Sequence, residues 1–194
     1  MKINLIIFLI FTFGISQIQY GGEPQYKLES NKINFLSTTN LKKINNDLHP
    51  MILKYGDEFI IDINILNQAT KVISDNETTF YIGIESKKAK AISFVFDDFV
   101  LTKNSEMYIY NVEKSMFIGS FNSNNNSPNG DLATALVKGD KIIIEISVPN
   151  NEIINLKLNL KSIIHDFKDL MNFHNNDSSN REDCNDNVAC STAD

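Results

Sequence analysis

Cys184 and Cys190 are the only cysteines in 194 residues, and they sit close together in a polar stretch near the C-terminal end. Such a pair at the edge of a secreted domain ordinarily opens a disulfide framework. With no third cysteine present, the two either close a small loop with each other or stay free. They lack the spacing and the histidine partners of a zinc site. His165-Asp166 puts an imidazole beside a carboxylate, the ingredients of a general base and its orienter. Neighbours on a strand project to opposite faces, however, so this pair is not expected to meet. His49 precedes Pro50 in a turn-rich stretch and His174 lies in the polar tail, and both read as solvated.

Asp97-Asp98 closes an apolar run. Adjacent carboxylates could contribute to a calcium site, because hard cations collect several oxygen ligands. Asp140 and Glu145 are the nearest further candidates by type. No spacing here matches a defined calcium loop, and aspartates that hydrogen-bond a turn are the alternative. Tyr108 and Tyr110 fall on one face of a strand, as a sugar-stacking platform would require. Cross-strand aromatic packing explains the same spacing, and the absence of tryptophan weakens the carbohydrate reading. Lys168 and Arg181 flank the polar tail and are candidate cut points for a protease that reads basic residues.

The elements that carry these residues are strands. Ile61, Ile63 and Ile65 alternate with Asp62 and Asn64, Phe80, Ile82 and Ile84 repeat the spacing, and Ile92, Phe94 and Phe96 put large apolar groups on one side of the next strand. Period-two alternation of this kind marks a strand. Residues 107–110 and 117–121 are expected to form a hairpin joined through Val112–Ser115. Residues 132–136 lead to a tight turn at Lys138-Gly139-Asp140. Ile142, Ile144 and Ile146 follow, then Leu156, Leu158 and Leu160. The pattern predicts an all-β fold, an antiparallel β-sandwich or jelly roll of about eight strands. A short helical turn is expected within Ile164–Phe173.

The division expected along the chain is a signal peptide over 1–16, an extended segment over 17–54, the sandwich over 55–171 and a polar linker over 172–194. Met1-Lys2, the apolar run Ile3–Ile15 and the small residues Gly14-Ile15-Ser16 predict cleavage after Ser16. No later apolar run is long enough to span a bilayer. The mature chain is therefore expected to be secreted or periplasmic, with no membrane partner. The formal net charge of −6 and the lack of a basic cluster argue against nucleic-acid binding, and no nucleic-acid partner is expected. No cofactor is expected.

Phe94-Val-Phe-Asp-Asp-Phe-Val-Leu101 is followed by Met107-Tyr-Ile-Tyr-Asn-Val-Glu-Lys-Ser-Met-Phe-Ile-Gly-Ser-Phe121, then Asn124–Asn126, Leu132-Ala-Thr134, Leu136–Asp140 and Ile142–Glu145. This order resembles the N-terminal prodomain of secreted lysyl-endopeptidase-like serine proteases of the trypsin class, common in Bacteroidetes. Gly21-Gly22-Glu23-Pro24 after the leader and Ile163-Ile164-His165 resemble the same precursors, and Cys184 and Cys190 look like the opening of their mature protease domain. The resemblance covers nearly the whole chain. It implies a truncated or frame-shifted precursor, a fragment of one, or a prodomain that has lost its enzyme. The family's catalytic histidine, aspartate and serine match no motif here, so no catalytic role passes to any residue. The implied partner is a cognate trypsin-like protease domain. A stand-alone sandwich that binds glycan or protein through the Asn122–Gly130 loop is the second expectation, since binding concentrates in loops on rigid scaffolds.

Overall fold

The computed structural model describes residues 21–44 and 54–172. The leader with its expected cleavage after Ser16, together with His49, His174, Arg181, Cys184 and Cys190, lies outside the described residues. Chain order runs β1 (Phe35–Ser37), β2 (Lys42–Lys43), β3 (Gly56–Asn64), α1 (Ile65–Gln68), β4 (Thr70–Ile73), β5 (Glu77–Glu85) and β6 (Ala91–Val100). It continues with β7 (Glu106–Asn111), β8 (Phe117–Phe121), β9 (Leu132–Ala133), β10 (Val137–Lys138), β11 (Lys141–Pro149) and β12 (Lys157–Asp166). Eight of the strands are longer than three residues, and four are bridges of two or three residues at the sheet margins.

Two six-stranded sheets form a sandwich. The first runs β1-β5-β11-β7-β8 with β4 also on β5, and the second runs β10-β6-β12-β3-β2 with β9 also on β6. Pairing is antiparallel except for β1, which runs parallel to β5. One apolar layer lies between the sheets. Phe80, Ile82, Ile84, Ile109, Ile142, Ile144 and Ile146 enter it from the first sheet, and Ile92, Phe94, Phe96, Leu158, Leu160 and Ile163 enter it from the second. All but Ile109 and Ile163 are alternating residues read from the sequence. Each fully buried side chain of this size contributes about 1.5–3 kcal/mol. The ion pairs, such as Lys141–Glu85 at 3.3 Å, keep both partners partly exposed and add at most about 1 kcal/mol apiece. The apolar layer therefore dominates.

Four features depart from the simple reading. Residues 17–54 were expected as an extended segment before the sandwich, but β1 and β2 within it join the two sheets. Residues 132–136 form no continuous strand: β9 and β10 pair separately with β6. Thr70–Ile73 adds β4, which pairs with Thr78–Tyr81. The expected helical turn is also shorter, because β12 runs to Asp166 and only 170–172 are helical.

Two bulges set which side chains face inward. On β6, Asn159 pairs with Asp98 and Leu160 with Phe96, so Asp97 is an extra residue. The inward series consequently steps from Phe96 to Phe99 and Leu101, all buried. On β12 the register shifts between Leu160 and Ser162, which turns Ile163 inward and carries His165 with it. Among the described residues no helix is long and apolar enough to cross a membrane.

Candidate functional site

The chemistry-bearing side chains collect in three places. The first is one end of the apolar layer, where the second bulge delivers His165. Its Nδ1 is hydrogen-bonded to the Ser86 hydroxyl at 2.8 Å, and that hydroxyl is bonded in turn to Thr38 Oγ1 at 2.9 Å. Ser86 follows β5 in the first sheet and His165 belongs to the second, so the contact ties the sheets together. Phe59 stands edge-on to the imidazole, its centroid 6.2 Å away. Burial holds the imidazole pKa below its ordinary value, against the opposing pull of the Asp57 and Asp166 charges.

A hydroxyl against an imidazole is the start of a nucleophile–base pair, and sequence reading missed it. Ser86 opens the polar stretch Ser86-Lys87-Lys88, which gives no sign of a partner, and the contact spans 79 positions. The surroundings are those of a staple. Ser86 is 0% exposed, which leaves no approach for a carbonyl carbon. The nearby carboxylate of Asp57 does not orient the ring. It is held by Lys43 Nζ at 2.6 Å and Lys54 Nζ at 3.0 Å. Burial alone would raise the Asp57 pKa, and the two ammonium groups more than offset that, leaving it below the usual carboxylate range.

The staple has a pH consequence. The unfolded histidine titrates normally, while the folded one resists protonation. Its stabilising contribution is complete above the ordinary histidine pKa near 6.5 and is lost as pH falls through the lower folded value. Denaturant midpoints should therefore drop between pH 7.5 and pH 5.5, and His165→Asn should flatten that drop. An unchanged pH slope in the variant would exclude His165 as its source.

The second place is the outer face of the second sheet. Because Asp97 is the bulge residue, Asp97 and the adjacent Asp98 both lie outside the apolar layer. Asp97 accepts from Asn159 Nδ2 at 2.8 Å and lies 3.6 Å from Lys161 Nζ, and Asp98 lies 3.6 Å from Lys157 Nζ. Each carboxylate thus faces a lysine. Glu145 belongs to the other sheet, and Asp140 lies in the turn before β11. Among the described residues no three histidine, cysteine, aspartate or glutamate side chains are grouped so as to hold a metal ion.

The third place is the outer face of the first sheet, where polarity was expected. Glu145 is instead 1% exposed. It lies under the segment 21–28 among Tyr81, Tyr108, Tyr110 and Ile143, a second buried cluster against which Tyr26, Leu28 and Phe35 pack. Its carboxylate accepts from Tyr110 Oη at 2.9 Å, from the Gln25 N–H at 2.7 Å and from the Tyr26 N–H at 3.3 Å. Burial, then the Glu145 charge, push the Tyr110 hydroxyl far above its ordinary pKa, so it remains a donor. Tyr108 and Tyr110 are packing residues here. Tyr26 meets Tyr110 edge-on with centroids 4.9 Å apart.

Lys168 is exposed, and its backbone is anchored. The wholly buried Asp166 carboxylate accepts from the Lys168 N–H at 2.7 Å and the Leu170 N–H at 2.8 Å, which caps the turn that follows β12. Asp166→Ala should cost about 1–2 kcal/mol, as loss of a capping carboxylate does, and should speed proteolysis after Lys168. A variant matching the parent in both melting and digestion would contradict this assignment. In the Asn122–Gly130 loop, Asn126 bonds both backbone groups of Leu101, each at 2.8 Å. Asn122 borders a polar cleft of about 330 Å³ shared with Gln25, Glu77, Lys103, Asn104 and Glu106.

Fold and sites together define a two-sheet, all-β sandwich in which Ser86, Asp97, Asp98 and Glu145, among the described residues, are enclosed, ion-paired or covered. No protein-family model matches this chain, and no solved structure matches it.

Proposed function

We propose that this sandwich is the non-catalytic prodomain of a secreted, lysyl-endopeptidase-like serine protease of the trypsin class. In this reading it templates folding of the protease domain or covers its cleft until the linker is cut. The observation that carries the reading is the ordered motif series from Phe94 to Glu145. It falls on β6, the β7–β8 hairpin and the β10–β11 turn, three contiguous pieces of one scaffold. The enclosure of Ser86, with Asp57 held by lysines, supports action through a surface rather than through bond cleavage.

The test is refolding. A denatured lysyl-specific protease of the trypsin class is diluted from denaturant with and without the full chain, and recovered activity and residual inhibition are followed. The reading requires a rise in refolding yield or saturable inhibition near equimolar chain. A large excess of chain that changes neither would overturn it.

A further inference from the structure

We propose that the outer face of the first sheet is a peptide-binding groove for an extended segment of the pattern Gly-Gly-X-Pro-X-aromatic. The chain's own residues 21–26 fill it in cis, and the same chemistry enters it in trans. This goes beyond the prodomain reading and does not rest on it.

The resident segment shows what the groove recognises. Recognition is mostly of backbone. The Gly21 carbonyl accepts from the Ser120 N–H at 3.1 Å and lies 3.4 Å from the Tyr108 hydroxyl, which donates to it. Two successive N–H groups, those of Gln25 and Tyr26, point at the Glu145 carboxylate. An ionised acceptor of this kind makes stronger bonds than a neutral one. Side-chain selection falls at three positions. At Gly22, φ is +87° and a Cβ would collide with the Tyr108 hydroxyl, so only glycine fits. Pro24 is buried. Tyr26 lies between Tyr110 and the Lys114 ammonium, which is 4.7 Å from its ring centroid. Glu23 and Gln25 are exposed and leave those positions free.

Exchange follows from how the segment is held. Residues 21–29 lie in no strand ladder, and Gly21, Gly22, Glu23, Gln25, Lys27 and Glu29 are exposed. Among them Pro24 alone is buried, with Tyr26 and Leu28 half-buried, and segments held outside the strand ladders open at a fraction of the global unfolding free energy. A cis segment competes at an effective concentration of order millimolar, so a trans ligand meets an occupied groove until the cis segment is weakened.

The experiment uses the full chain, a fluorescent synthetic peptide of residues 21–28, and Gly22→Ala placed in the protein only. The peptide should bind the Gly22→Ala chain at least ~10-fold tighter than the unaltered chain, since release of cis competition is worth that much or more. Adding Glu145→Gln should weaken that binding at least ~10-fold, the loss expected when a charged acceptor becomes neutral. Failure of the peptide to bind a Gly22→Ala chain of unchanged circular dichroism would overturn the proposal. Should that variant not fold, hydrogen exchange on the unaltered chain decides. The Gln25 and Tyr26 amides are expected to exchange at least ~100-fold faster than those of Ile144 and Ile146, as an independently opening segment requires. Equal protection would mean the segment leaves only when the sheet unfolds, and would overturn it as well.

Discussion

Glu145→Ala is expected to destabilise the protein by about 2–4 kcal/mol, a large share of the 5–15 kcal/mol that holds an ordinary domain together. The substitution strips the acceptor from three donors at once: the Tyr110 hydroxyl and the Gln25 and Tyr26 amides. Hydrogen bonds to a charged group contribute about 1.5–3 kcal/mol each. Full additivity would exceed the range given, but the two amides recover water once segment 21–28 lifts away. The signature should be local. Near-ultraviolet circular dichroism from Tyr81, Tyr108 and Tyr110 should change while the far-ultraviolet strand signal persists. Glu145→Gln, which keeps one carbonyl acceptor, should fall between parent and alanine. A melting temperature for Glu145→Ala within a degree of the parent would mean that the segment is not anchored through this carboxylate.

Phe96→Ala is the second large effect, expected at about 3–5 kcal/mol. Phe96 is 0% exposed, stands edge-on to Phe99 with centroids 5.4 Å apart, and occupies the position just before the β6 bulge. Removing it opens a cavity where the inward series changes phase, and the neighbours cannot close it without shifting the bulge. Denaturant unfolding should show a lowered midpoint with an unchanged slope, the mark of lost stability without a change in exposed surface. The exposed Phe117, substituted the same way, should lose far less. Equal losses at the two positions would contradict the placement of the apolar layer.

The physical reason strands were legible in the sequence is that one face of each long strand enters a single apolar layer, although the other face of β5, β7 and β11 is buried as well. Phe80-Ile82-Ile84 and Ile142-Ile144-Ile146 therefore display the period-two pattern directly. The bulges were not legible, because an extra residue at Asp97 is fixed by pairing with β12 and leaves no local composition signal. That omission carried into the site. With unbroken alternation from Leu160, Ser162 and Ile164 would face inward, and only the shift in β12 turns His165 toward Ser86. A serine followed by Lys87-Lys88 gives no hint of such a partner.

Glu145 was misplaced for a related reason. Alternation on β11 assigns it correctly to the outer face, but the cover comes from 120 residues away along the chain. The clue was Ile143, an apolar residue on the same supposedly wet face. Gly21-Gly22-Glu23-Pro24 was noticed as a motif, yet its physical role as the covering segment depended on a contact no single-strand pattern encodes. The aspartate pair, weighed by type as calcium ligands or as turn residues, stands with each carboxylate against a lysine of β12, a placement set by register.

Labelling of the purified full chain with a fluorophosphonate, followed by peptide mass spectrometry at Ser86, decides whether serine, imidazole and carboxylates hold the sandwich together or break bonds. The enclosed hydroxyl should remain unmodified in native protein over hours at excess reagent. Stoichiometric phosphonylation of Ser86, abolished by His165→Asn, would show an accessible activated nucleophile and contradict the account.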